Sequence, residues 1–245
     1  FMMRPISLLL CCLAGSFPLY ADVKMPAIFG DHMVLQQEIK VPVWGTADAG
    51  EKVTVTAGDH TGTATAGTDG KWRIDLDPFA PNTPPLTVTV TGHNTFKFDD
   101  VLIGDVWLAS GQSNMEFALG HSGTHPEDQA GYLGGVPDAA NEVAKANDPQ
   151  MRVFYVAHKL SATPVDNVVG KWKLCTPQSV EDFSAVAYYF GRDLRQKYQR
   201  PIGLIGAYYG GTASQAWTSL SGLQKAPPFQ NEVNTITNIR AAHPP

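Results

Sequence analysis

The fold of this 245-residue chain is decided by the stretch Val106-Trp107-Leu108-Ala109-Ser110-Gly111-Gln112-Ser113-Asn114-Met115-Glu116. Its near-continuous apolar start is typical of a strand buried on both faces, as in a parallel sheet. Gly111 permits a sharp turn because it has no Cβ, and the spacing of Met115 and Leu119 indicates a helix that begins near Ser113. The stretch therefore predicts a strand, a tight turn and a helix that packs back on the sheet.

Ser113 stands at this turn, where a serine hydroxyl can act as a nucleophile. Such a serine needs exposure, backbone N–H groups that face the developing oxyanion, and a base that takes its proton. The local pattern is not the Gly-x-Ser-x-Gly elbow, because Met115 occupies the position of the second glycine. On these residues alone, a serine that only caps the helix is the simpler interpretation.

Beyond about residue 101, apolar patterns of strand and helix alternate along the chain. Strands are predicted at residues 105–110, 151–156 and 202–208, and helices at residues 138–146 and 183–198. The second helix has Ser184 as its expected cap, and its apolar face is predicted to consist of Val186, Tyr189, Phe190, Leu194 and Tyr198. This alternation predicts a parallel sheet with helices on both faces, where sites lie beyond the carboxyl ends of strands.

A second turn, Tyr209-Gly210-Gly211-Thr212, follows the strand predicted at residues 202–208. Its two glycines allow backbone N–H groups to approach a ligand closely, and a helix predicted to begin at about Ala213 would add a favourable dipole for an anion. A tight turn without a ligand is the alternative. Because both turns are expected at the same edge of the sheet, we favour a functional role for them together.

The preceding region, residues 22–100, has a β character throughout. Short runs rich in β-branched and aromatic residues are separated by turn signals such as Gly58-Asp59 and Asp69-Gly70. A series of roughly eight short strands of this kind predicts a β-sandwich. Its Thr-rich, charge-poor faces could bind sugar or could simply be solvated sheet.

The composition is that of a globular protein, with 43% hydrophobic and 17% charged residues. A formal charge of −5 gives no basic surface for nucleic acid. Arg4, the apolar run 6–13 and Leu19-Tyr20-Ala21 together are typical of a signal peptide at residues 1–21, and the run is too short to span a membrane. The sequence therefore predicts a secreted or periplasmic protein, lumenal in a eukaryote, with no membrane anchor.

The positions of the cysteines and histidines in the sequence do not indicate a metal centre. After removal of Cys11 and Cys12 with the signal peptide, Cys175 has no disulfide partner, and no basic neighbour in the sequence activates it. His121 and His125 have an i, i+4 spacing, but they lie in loop-forming sequence with no third ligand close by. We therefore expect no metal and no cofactor.

With these residues in hand, the sequence resembles the sialate O-acetylesterase family of SGNH hydrolases. The stretches that match the family occur in the same order as in the family, and they cover nearly the whole chain after residue 21. The matching stretches are residues 28–37, 42–47, 70–72, 104–116, 183–188, 201–205 and 210–212, followed by Trp217. The resemblance implies an α/β protein in which a β-sandwich domain, residues 22–100, precedes the N-terminal part of a flavodoxin-like, parallel-sheet α/β/α esterase domain, residues 101–245.

The resemblance also implies a serine esterase that removes O-acetyl groups from sugars, with sialic acids as the expected substrate. Ser113 would be the nucleophile, and its N–H together with that of Gly210 or Gly211 would form the oxyanion hole. The implied substrate contacts are Gln112, Asn114 and Thr212. A noncatalytic secreted protein, whose β-sandwich binds carbohydrate, is the alternative.

One part of the family pattern is not found in this sequence. In the family, a Gln-Gly-Glu block supplies a further donor, and a C-terminal Asp-x-x-His block supplies the base and its orienting carboxylate. Here His243 has Arg240 where the Asp should stand, and His158 follows a strand with no acidic residue beside it. The sequence therefore predicts a C-terminally shortened chain that carries the nucleophile but shows little turnover by itself.

Overall fold

The computed structural model describes residues 22–161 and 163–242. The predicted signal peptide and His243 lie outside the described residues. The strands are β1 Val34–Gln36, β2 Val41–Thr46, β3 Lys52–Ala57, β4 His60–Thr65, β5 Lys71–Leu76, β6 Leu86–Thr91, β7 Thr95–Gly111, β8 Gly123–Thr124, β9 Gly131–Tyr132, β10 Asp148–Tyr155, β11 Trp172–Cys175 and β12 Ile202–Tyr208. The helices are α1 Ser113–Glu116, α2 Ala139–Lys145, α3 Pro177–Val180, α4 Ala185–Tyr198, α5 Leu220–Leu223 and α6 Gln230–Ala242, with 3₁₀ turns at Ser214–Trp217 and Pro227–Phe229.

One mixed sheet runs through the protein because β7 takes part in both of its halves. The strand order is β11-β10-β12-β7-β6-β3-β4, and β1 also pairs with β7. The first half of β7 is antiparallel to β6, whereas its second half is parallel to β12, and β12 is parallel to β10. The predicted α/β class is thus confirmed as a mixed fold with a large, partly parallel sheet.

The strand predicted at residues 105–110 is the second half of β7, which is 17 residues long. The strand therefore continues through residue 100, where the sequence pattern changes. Its pairing with β6 is irregular there, between Phe98 and Val101, and Asp100 has a φ of 53°.

The apolar run coincides with a change of partner, since residues 105–111 pair in parallel with β12. The predicted burial on both faces is wrong, however, because Trp107 is 44% exposed and Leu108 is 66% exposed. The division of the chain at residue 100 stays a prediction.

The N-terminal half is built on a core of its own. The β2–β5 pair packs over strands β3, β6 and the first half of β7. Inward positions alternate with outward ones along each strand, as a half-buried strand requires. The core residues include Val43, Val53, Val55, Trp72, Ile74, Val88 and Val90.

Helix α4 confirms the predicted element and its cap, since Ser184 Oγ accepts a hydrogen bond from the Ala187 N–H. Its predicted apolar face is only partly confirmed, because Tyr189 and Leu194 pack half-buried against the core but Tyr198 is exposed. The buried residues are Ala185, Ala187, Tyr188 and Gly191, whereas Val186 and Phe190 are exposed. The helix lies so close to β12 that a Cβ on Gly191 would stand 2.7 Å from Leu204 Cδ1. Small residues therefore define the contact face.

Two predicted helices at the sheet edge are shorter than expected. Helix α1 ends at Glu116 because Phe117 leaves the helical conformation, so the expected helical pairing of Met115 with Leu119 is wrong. At Ala213 the chain forms only the 3₁₀ turn Ser214–Trp217, without a side-chain cap. The expected α-helix dipole behind the second turn is therefore absent from the described residues.

No helix in the described part of the chain is long and apolar enough to cross a membrane.

Candidate active site

Two turns lie side by side at the carboxyl ends of β7 and β12. In the parallel register, Tyr208 of β12 is the partner of Gly111 of β7, and the Tyr209 N–H donates to the Gly111 carbonyl at 3.0 Å. Gly111 has a φ of 149°, which favours glycine. A Cβ on Gly210 would lie 3.6 Å from Ser113 Cα. The structure thus brings Ser113 next to the Gly210-Gly211 turn.

The Ser113 side chain is exposed at the first position of α1. Its Oγ donates to Gln112 Oε1 at 2.6 Å, and its N–H donates to the same oxygen at 2.8 Å. Gln112 therefore caps the helix that follows it. Because the Gln112 side chain is itself exposed, it can rotate away and free both donors. Among the described residues, Ser113 Oγ has a hydrogen bond to Gln112 and none to a histidine.

Glu116, at the end of α1, is buried and links three parts of the site. Its Oε2 accepts the Gly210 N–H at 2.8 Å. Its Oε1 lies 2.9 Å from His158 Nε2. A Cβ on Gly210 would come within 2.2 Å of Glu116 Oε2, so this close approach requires glycine. One carboxylate therefore sets the distance between the helix of Ser113 and the second turn.

The contact between His158 and Glu116 was not predicted from the sequence. His158 Nε2 also lies 3.0 Å from the Tyr208 carbonyl, and the His158 ring stacks on that of Tyr209 with centroids 3.9 Å apart. Both neighbours of Nε2 are acceptors, so the tautomer with a proton on Nε2 would donate to them. His158 is therefore placed to hold Glu116 and not to take a proton from Ser113.

Asp128 supports His158 from the other side. Its Oδ2 accepts hydrogen bonds from the backbone N–H of His158 at 2.6 Å and from the Tyr155 hydroxyl at 3.2 Å. Its Oδ1 accepts the backbone N–H of Ala130 at 2.9 Å. Burial alone would raise the pKa of Asp128, but these donors outweigh it and hold the pKa below its ordinary value. Asp128 is therefore an ionised anchor beneath the site.

A cavity of about 760 Å³, here called the Ser113 cavity, opens in front of these groups. Its walls are the start of α1, the β8–β9 hairpin and the Gly210-Gly211 turn. Among the predicted substrate contacts, Asn114 lines this cavity. Thr212 Oγ1 instead donates to the Tyr209 carbonyl at 2.6 Å and accepts the Trp217 Nε1–H at 2.8 Å, so it holds the turn together. The cavity has the size of a small-molecule site.

A group of possible metal ligands lies beneath the β8–β9 hairpin. His125, Glu127 and Asp182 each place one ligand atom within 4.8 Å of the others, a neighbourhood that the sequence did not predict. Lys173 Nζ lies 2.6 Å from Glu127 Oε1 and already supplies positive charge there. The His125 ring stacks on that of Tyr155 at 4.0 Å. We assign this group no metal, because Lys173 already balances the charge of Glu127. His125 Nε2 and Glu127 Oε2 are buried without a hydrogen-bond partner among the described residues.

The Cys175 thiol is buried, and burial raises its pKa to about 11. A thiol with that pKa is protonated at neutral pH and is a poor nucleophile. This agrees with the structural role that the sequence favoured for Cys175.

Comparison with solved structures identifies the class of this fold. The crystal structure of a carbohydrate acetylesterase from Xanthomonas citri matches with a TM-score of 0.72 and 33% sequence identity. The match covers 82% of this chain and 43% of that one. The mixed α/β fold described above is therefore that of a carbohydrate esterase.

Curated proteins also match the chain in sequence. Sialate O-acetylesterases from Rattus norvegicus, Mus musculus and Homo sapiens are 29%, 31% and 30% identical over 90%, 77% and 80% of this chain. The chain is thus homologous to the sialate O-acetylesterases over most of its length, which confirms the resemblance seen in the motifs. It spans 42%, 36% and 39% of the length of these relatives. No family model matches the chain.

Proposed function

We propose that this protein is a serine esterase that removes O-acetyl groups from a carbohydrate, with Ser113 as the nucleophile. One observation carries the proposal: the exposed Ser113 hydroxyl lines a 760 Å³ cavity beside a glycine turn at the carboxyl edge of the sheet. The names of the relatives, carbohydrate acetylesterase and sialate O-acetylesterase, supply the class of substrate.

The proposed oxyanion hole consists of the N–H groups of Ser113 and Gly211. The sequence left Gly210 and Gly211 as equal candidates, but the Gly210 N–H is bound to the buried Glu116 carboxylate. Gly211 lines the cavity, and a Cβ built on it would meet no atom within 4 Å. Its N–H is therefore the better donor for a ligand. Loss of a single oxyanion donor costs about 10²- to 10³-fold in rate.

In the proposed reaction, Ser113 Oγ attacks the acetyl carbonyl carbon while its proton passes to a base. The tetrahedral intermediate then expels the sugar oxygen, which takes up that proton, and leaves an acetyl ester on Ser113. Water attacks this ester and releases acetate, which restores the hydroxyl. The proposed base is a histidine, and among the described residues none is hydrogen-bonded to Ser113 Oγ.

Further features remain part of the proposal. We propose that residues 1–21 direct secretion, that sialic acid esters are substrates, and that residues 22–100 form a β-sandwich domain. The sialate O-acetylesterase names support the substrate, and the packing of the β2–β5 pair over the antiparallel part of the sheet supports the sandwich.

The test is acetate release from 9-O-acetylated sialic acid and from acetylated xylan, using the protein made from its whole reading frame. We expect Ser113→Ala to lose at least about 10³-fold in turnover. Ser110→Ala, a matched change at an exposed serine of β7, should keep turnover within a few fold. Equal turnover in the two variants, or no acetate release from either substrate by the unmodified protein, would overturn the proposal.

A further inference from the structure

A tryptophan, Trp44, lies on the outer face of the β2–β5 pair, outside the hydrophobic core. Residues of β2 alternate, so Val41 and Val43 point inward and Trp44 points outward. Trp44 is 38% exposed, whereas Trp72, on the inner side of β5, is 3% exposed. An indole that stays exposed on a sheet face can offer its ring to a ligand.

Trp44 lies among cationic side chains. In the antiparallel register Trp44 pairs with Arg73, and Thr46 pairs with Lys71, so these side chains share the outer face. The Phe29 and Trp44 rings form an edge-to-face contact, with centroids 4.7 Å apart and planes at 75°. Phe29 is buried, so this contact ties Trp44 to the core.

A cavity of about 620 Å³, here called the Trp44 cavity, forms over this face. Its other walls are residues 24–26 and the loop at residues 166–167. Asn167 Oδ1 accepts the Ala27 N–H at 2.8 Å, and Lys71 Nζ binds both Asp166 oxygens at 3.0 and 3.1 Å. These contacts join the two walls to each other and to β5. The residues that line this cavity are different from those of the Ser113 cavity.

The charges around the Trp44 cavity indicate the chemistry of a ligand. Lys24, Lys71 and Arg73 line it with positive charge. Lys71 is paired with Asp166, and Asp75 Oδ1 lies 2.8 Å from Arg73 Nη2 and accepts its Nε–H at 2.9 Å. Among the described residues, Lys24 is the lining cation without an ion pair, and the Arg73 guanidinium is still 63% exposed. An indole face binds the apolar face of a flat or ring-shaped ligand, and a guanidinium pairs with a carboxylate. The combination suits a sugar ring that carries a carboxylate.

We propose that the Trp44 cavity binds an acidic sugar at a site separate from the esterase centre. Trp44 stacks on the pyranose ring, Arg73 and Lys24 pair with the carboxylate, and the Lys71–Asp166 pair exchanges hydrogen bonds with ring hydroxyls. Binding at the Trp44 cavity requires no catalysis, so it can be tested independently of the role of Ser113.

The test is a titration, followed by NMR, of the protein with glucuronic acid, glucose and N-acetylneuraminic acid. Glucuronic acid and glucose differ only by the carboxylate, and none of the three carries an acetyl ester. We expect saturable binding of the acidic sugars that weakens at least about tenfold in Trp44→Ala and in Arg73→Gln and declines with added salt. Glucose should bind more weakly than glucuronic acid by a similar factor.

The controls separate this site from the esterase. Trp107→Ala removes another exposed tryptophan, 44% exposed, that does not line the cavity, and it should bind as the unmodified protein does. Ser113→Ala should lose turnover and keep binding. Absence of saturable binding of the acidic sugars, equal binding by Trp44→Ala and Trp107→Ala, or equal affinity for glucose and glucuronic acid would overturn the proposal.

Discussion

The buried carboxylate of Glu116 accepts the Gly210 N–H across 2.8 Å, and this contact joins the two turns of the candidate site. Glu116 lies on the short helix that begins at Ser113, and Gly210 follows β12. Because the second oxygen of Glu116 lies 2.9 Å from His158 Nε2, the carboxylate is held from two directions. The spacing between the proposed nucleophile and the proposed oxyanion donor depends on it.

Replacing Glu116 by Ala should destabilise the fold. The Gly210 N–H and the His158 Nε2–H would both lose their carboxylate neighbour inside the protein, which should cost about 2–4 kcal/mol in the free energy of unfolding. Urea denaturation measures this loss. Asp77→Asn, at a side chain that is 82% exposed, is the control and should change stability by less than ~0.5 kcal/mol. Equal stability of the two variants would show that the Glu116 contacts do not hold the site.

Alanine at the two glycines should have unequal effects. A Cβ at residue 210 would come within 2.2 Å of Glu116 Oε2, so Gly210→Ala must displace the carboxylate. Gly211 has open space around it and a φ of 73°, so Gly211→Ala carries only backbone strain of about 1–2 kcal/mol. We expect thermal unfolding to show a larger loss for Gly210→Ala. A larger loss for Gly211→Ala would argue against the tight contact.

Asp128→Asn should remove a stabilisation that depends on pH. The folded-state pKa of Asp128 is lowered, so its contribution is present above the unfolded pKa of about 3.9 and is lost as the pH falls through the folded value. The stability difference between the unmodified protein and Asp128→Asn should therefore be constant near neutral pH and shrink below about pH 4. Urea midpoints measured across this range test it. A difference that does not change with pH would contradict the assignment of Asp128 as an ionised anchor.

Cys175 should be unreactive in the folded protein. With a pKa of about 11 and a buried sulfur, its thiolate is scarce at about pH 8. The unmodified protein and Cys175→Ser should show the same number of thiols that react rapidly with Ellman's reagent. In urea the unmodified protein should show one more. A rapid difference between the two folded proteins would mean that Cys175 is accessible.

Local signals in the sequence were enough to predict most elements near the site. Gly111 and the apolar run before it placed the end of β7, and Ser184 placed the start of α4. These signals are local because caps and turns depend on residues a few positions apart. The neighbourhood of Ser113 and the glycine turn followed from the rule that parallel strands share an edge.

Contacts between distant residues could not be predicted in this way. Glu116, His158 and Asp128 come from three separate segments, and nothing in the sequence near His158 indicates a carboxylate beside its ring. Part of the contact face of α4 was missed for a related reason. Gly191 and Ala187 are too small to stand out in a pattern of large apolar residues. They belong to the contact face because β12 approaches the helix closely.

The Ser113 hydroxyl offers the most direct test of the proposed function. The protein made from its whole reading frame is treated with a fluorophosphonate, which reacts with activated serines, and the adduct is located by peptide mass mapping. We predict one adduct, on the peptide that contains Ser113, that is kept in Ser110→Ala and lost in Ser113→Ala. An adduct on another residue with Ser113 unmodified, or equal labelling of Ser113→Ala, would contradict the assignment of Ser113 as the nucleophile.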